Sequence, residues 1–137
     1  MPRVLLQALD IGFFVLHSAI VLLNVFGWMW RPLRKANLVM LLLTLASWTL
    51  MGVFYGVGYC VCTDWHFRVR QALGYHDLGG NYIGFFTWKL TGYLPPESLV
   101  RTGCAVIFSV SLIASLWVNL ADFRKNRAAA VASTQPT

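Results

Sequence analysis

The chain has 137 residues, room for one domain. Hydrophobic residues make up 58% and charged residues 12%, against about 25% charged in soluble domains, and the mean hydropathy is +0.62. So short a chain cannot hide this much apolar surface from water, so lipid must be the solvent for most of it. The net charge of +6 is no nucleic-acid footprint, because the basic residues gather where apolar runs end.

The first uncharged run, residues 11–30, lies between Asp10 and Arg31. Twenty residues at about 1.5 Å each cross about 30 Å of hydrocarbon. Trp28 and Trp30 at its end suit the headgroup layer. A cleavable leader is disfavoured: the basic start is thin, the apolar run is long, and no small-x-small site follows. The turn Arg31-Pro32-Leu33-Arg34-Lys35 then breaks the helix and concentrates positive charge. A second span, residues 36–59, carries no charge. Its Gly52 and Gly56 form a small-xxx-small pair, which either permits close helix packing or reflects the frequency of glycine in membrane helices.

Residues 56–74 hold two cysteines, a histidine, an aspartate and two arginines. Thr63 is placed to cap a short helix, Asp64 to meet the positive end of its dipole, and Gly74 to stop it. Trp65, Val69 and Leu73 recur every four residues, which predicts an amphipathic helix resting its apolar face on the membrane. Asp64 and Arg68 are spaced for an i,i+4 pair. Arg70, on another side, is expected to contact lipid phosphate, a partner or a backbone carbonyl. Residues 78–88 are too few and too rich in glycine to cross as a helix and are expected to be interfacial or re-entrant. Pro95 and Pro96 end that segment, Glu97 and Ser98 open the next helix, and residues 102–120 form the third span. Arg124, Lys125 and Arg127 follow, and residues 128–137 are expected to be a frayed, flexible end.

An all-α membrane bundle of three spans follows, with an interfacial segment at about 63–96. Three spans put both basic segments on one side, which the charge rule assigns to the cytoplasm. The N-terminus then lies outside a bacterial inner membrane, and Arg68, Arg70 and Lys89 lie on the outer face.

Cys60, Cys62 and His66 could bind a soft metal or serve redox chemistry, with His76 or Cys104 completing the set. A disulfide from Cys104 to Cys60 or Cys62 is the oxidised alternative, and plain packing of small apolar side chains is the third. Within the spans, Asp10, His17 and Asn24 share one face at seven-residue spacing, and Ser111, Ser115 and Asn119 form a second stripe. Polar groups in lipid usually face the bundle interior, so the two stripes are expected to hydrogen-bond to each other. His17 as a ligand to haem or quinone is the alternative. These residues name no cofactor. Phosphate-binding, nucleophile-elbow, HExxH and kinase motifs are all absent, which argues against an enzyme.

The chain resembles a family of small bacterial membrane proteins catalogued as domain of unknown function 2784. The likeness covers roughly residues 11–120. His17 followed by Gly27 fits its first helix, and Cys60, Thr63, Arg68, Val69 and Arg70 fit its central signature. Val61 and Asp64 stand where the family has proline, and His66 where it has glutamate. Residues 79–84 carry neither the acid nor the histidine of the family's later segment. The resemblance implies a membrane fold and no activity. The expected role is a structural or interaction module, as an accessory subunit of a larger membrane complex or a homo-oligomer. A metal- or redox-active protein is the alternative, and a carrier of a small or lipid substrate, which needs several copies, is the third.

Overall fold

A computed structural model describes residues 2–55, 59–76 and 81–133. They are helical, with no strand among them. Helix α1 is Arg3–Phe26. Short 3-10 turns, Gly27–Met29 and Arg31–Leu33, lead into α2, Arg34–Ala46. A π turn, Ser47–Met51, joins α2 to α3, Gly52–Tyr55. Helices α4, Val61–Ala72, and α5, Tyr82–Thr91, precede the long α6, Glu97–Ser133. Three stretches are long and apolar enough to cross a membrane: Arg3–Met29, Arg31–Tyr55 and Glu97–Ser133. Gly56, and with it the small-xxx-small pair, lies outside the described residues, as do Gly79 and Gly80.

The turn between the first two spans is tight because of one side chain. Asn37 is fully buried. Its Nδ2 donates to Leu23 O at 2.7 Å and Asn24 O at 3.2 Å, so it binds the last turn of α1 at two carbonyls, the first of which also accepts from the Gly27 N–H. Gly27 makes this approach possible. A Cβ there would sit 2.8 Å from Leu23 Cδ1 and 2.9 Å from Asn37 Cβ.

Polar side chains then tie the bundle together. Asn24 Nδ2 donates to Thr44 Oγ1 at 3.0 Å. Asn119 Nδ2 donates to Arg34 O at 3.1 Å and to Ser115 O at 2.8 Å. Arg34 Nη1 meets Asp122 Oδ2 at 2.8 Å, so the basic turn and the basic tail lie at the same end of the bundle. His17, Asn24, Ser111 and Ser115 are buried, on the inward faces expected of them. The expected bond between the two stripes is not made among the described residues; α2 receives the hydrogen bonds of Asn24 and Asn119 instead. Ser111 and Ser115 serve as small surfaces where α6 packs closely, and Trp48 on the π turn meets Phe108 with ring centroids 4.8 Å apart.

The third span is longer than the uncharged run suggests. Helix α6 has 37 residues, about 55 Å at 1.5 Å per residue, so it projects beyond a hydrocarbon layer of about 30 Å. The expected frayed end is helical through Ser133. Alanine, at positions 128–130 and 132, is the strongest helix former.

The short helices pack against α1 between Asp10 and Ser18, away from the Arg34–Asp122 end. A left-handed glycine closes α4. Gly74 has φ +87°, its N–H donates to Gln71 O at 2.9 Å, and the Tyr75 N–H reaches back to Arg70 O at 3.0 Å, a Schellman closure. Helix α5 begins at Asn81, whose Oδ1 accepts from the Gly84 N–H at 2.7 Å, and ends at Gly92, three residues before the prolines. The segment thus contains a ten-residue helix, too short to cross a membrane.

Candidate functional site

A carboxylate in the membrane end of a helix demands a counter-charge, and the fold brings one to Asp10 from 60 residues away. Arg70 Nη1 lies 3.1 Å from both Asp10 oxygens. His66 Nε2 lies 2.7 Å from Asp10 Oδ1; with the carboxylate as acceptor, Nε2 carries the proton. His66 is 0% exposed and Arg70 6%. An ion pair this deep is not a strong source of net stability, since both charges lose water, but removing one member leaves the other charge stranded.

Aromatic rings build the walls. Phe85, 1% exposed, meets the His66 ring edge-on at 5.6 Å. The Arg70 guanidinium stands 4.6 Å from the centroids of both Tyr75 and Phe85. Tyr82 lies flat on His17, centroids 3.8 Å apart and planes 9° from parallel. Its hydroxyl donates to Phe14 O at 2.9 Å and lies 2.9 Å from Ser18 Oγ. The Nδ1 atoms of His17 and His66 are buried without a hydrogen-bond partner. Lys89 Nζ lies 4.5 Å above the Phe14 ring.

Helix α4 is therefore turned by about a quarter turn from its apolar spacing. The side packed on α1 carries Thr63, His66 and Arg70, all buried. Trp65 turns outward at 57% exposure, while Val69 and Leu73 are half-buried. Pairing Asp10 outweighs hiding a tryptophan that the lipid interface accommodates. Arg70 is accordingly a buried ion-pair residue and not the outward contact expected for it. Thr63 is not the cap either: Cys60 holds that position in extended backbone, and Thr63 lies in the first turn. Asp64 and Arg68 pair as spaced, Arg68 Nε to Asp64 Oδ2 at 2.8 Å, on the solvent side.

The proposed metal set does not converge. His66 is turned to Asp10, and among the described residues no three His, Cys, Asp or Glu side chains are grouped to hold an ion. Cys60, Cys62 and Cys104 are half-buried free thiols. Burial pushes the Cys62 thiol above its ordinary value, which disfavours the thiolate that metals and redox partners use. His17 is stacked against Tyr82 rather than open to a haem or quinone.

Asp10 stands out in the sequence but its partners do not, and nothing in the residue pattern singles out Asn37, Tyr82 or Phe85 or gives Lys89 more than a place on the outer face. The available signal was the lone carboxylate of the first span, which pointed to an arginine outside the apolar runs.

A family model described as Protein of Unknown function (DUF2784) matches residues 7–120. No curated protein and no solved structure matches.

Proposed function

The chain belongs to the DUF2784 family, and from that premise we propose that it is a structural and interaction module, an accessory subunit of a membrane complex. In this reading it is a multi-pass protein of the bacterial inner membrane, N-terminus outside, with α4 and α5 on the outer face. The observation that carries the reading is the division of α4. Its inner side is locked to α1 by the Asp10–His66–Arg70 cluster, and its outer side offers Asp64, Trp65 and Arg68 in fixed positions. His66 and Arg70 are buried and Asp10 is half-buried, each engaged by the others, which suits a latch better than a reaction centre. Large apolar side chains on the spans, among them Val53, Phe54 and Trp117, are more than three-quarters exposed and suit lipid or neighbouring helices.

The test is the assembly state in native membranes and in lipid nanodiscs. The chain should migrate with a defined partner or as an oligomer, and Trp65→Ala should release it without lowering its thermal midpoint. A monodisperse monomer with no co-purifying protein would refute the proposal.

A further inference from the structure

Between α1, α4 and α5 lies a cleft of about 470 Å³, lined by Asp10, Arg70, Tyr75, Trp88, Lys89 and Gly92. Its hydrogen-bonding groups are unevenly matched. Asp10, the only carboxylate among the described lining residues, already accepts from His66 once and from Arg70 at both oxygens. The other polar side chains of the described lining, Lys89, Tyr75 and Trp88, each carry a donor. Lys89 faces the rings of Phe14 and Phe85 at 4.5 and 5.6 Å and has no carboxylate partner among the described residues. Asp10 and Arg70 cancel, so Lys89 makes the described lining positive by one charge. A donor-rich, cationic cleft fits an oxyanion.

Position narrows the anion. Asp10 is seven residues from the start of α1, about 10 Å down the helix, so in a membrane that α1 spans the cleft would open within reach of the headgroup layer. Below it on α1, Ile11 and Val15 are 65% and 60% exposed and offer a track for an acyl chain. Tyr75 and Trp88, each partly exposed, are the side chains that favour this layer. We propose that the cleft binds the phosphate of a phospholipid headgroup, with Lys89 as its counter-ion and the acyl chains lying along α1.

The experiment is native mass spectrometry of the full chain from a phosphate-free detergent. Dioleoyl phosphatidylglycerol, dioleoylglycerol and inorganic phosphate are added in turn. Phosphatidylglycerol should be retained over dioleoylglycerol, and Lys89→Gln should weaken its retention roughly tenfold or more, the scale of one charge-assisted hydrogen bond. Lys89→Arg should restore most of it, and Lys125→Gln at the other end of the bundle should change nothing. Circular dichroism of each variant separates lost binding from lost folding. Inorganic phosphate should compete weakly. Competition at equal concentration, with the same dependence on Lys89, would keep the phosphate chemistry and overturn the lipid as its source. Equal retention of both lipids, or a folded Lys89→Gln variant that binds as before, would overturn the site. None of these outcomes depends on a protein partner.

Discussion

Replacing Arg70 with alanine strips Asp10 of both guanidinium contacts at 3.1 Å and leaves His66 to face the carboxylate alone. It also removes the cation between Tyr75 and Phe85. Breaking a buried pair from one side costs about 3–5 kcal/mol, or roughly two to four decades in the folded-to-unfolded ratio. Arg70→Lys should fall between, because a point charge cannot reproduce the two-oxygen contact or the stacking. The informative variant is the double one. In Asp10→Asn with Arg70→Met, the amide oxygen still accepts from His66, and an adaptable side chain fills the space between the rings. It should recover to within about 1–2 kcal/mol of the parent, since no charge is left stranded. The assay is unfolding by sodium dodecyl sulfate in mixed micelles, followed by tryptophan fluorescence and far-ultraviolet circular dichroism. Arg68→Ala is the comparison, because its exposed i,i+4 pair contributes only about 0.3–0.5 kcal/mol. The latch is refuted if Arg70→Ala costs no more than Arg68→Ala, or if the double variant is as unstable as the single one.

Gly27→Ala should destabilise by about 1–3 kcal/mol in the same assay, because the new methyl must displace Asn37 and Leu23. Gly12→Ala meets nothing within 4 Å and should be neutral; equal midpoints for the two would count against the packing at Asn37. In a chain retaining Cys62 alone, modification by a maleimide should keep accelerating, about tenfold per pH unit, past the ordinary thiol value of 9.0. Burial disfavours the thiolate, so reactive anion appears only at higher pH; a plateau below pH 8.5 would contradict that burial.

Three long apolar helices and the short helix α4 could be read from the chain because each depends on local facts: run length, the proline at 32, the glycine at 74. The Asp64–Arg68 pair was legible for the same reason, since one helix turn determines it. The facing of α4 was not. Apolar spacing assumes that the buried side is the apolar one, a rule for helices in water. Here Asp10 sets the inward side, and it is 60 residues away in sequence. Asn37 was hidden differently. It sits in an apolar run like any tolerated polar residue, and only the proximity of the ends of α1 and α2 gives its amide two carbonyls to satisfy. The tail from 128 lacks a hydrophobic period, but alanine extends a helix already nucleated in the membrane without one.

The separation of Asp10 from Arg70 also sets an order of assembly on the ribosome. At roughly 5–20 residues per second, the arginine is polymerised about 3–12 seconds after the aspartate. Throughout that interval α1 exists without its counter-ion. The joints between α1 and α2 bridge only 13 to 20 positions and are available almost as soon as the second span emerges. Arg34 must wait for Asp122, 88 positions later. The nascent chain therefore closes first as a hairpin, acquires its latch at one end next, and receives the third span last, docked at the other.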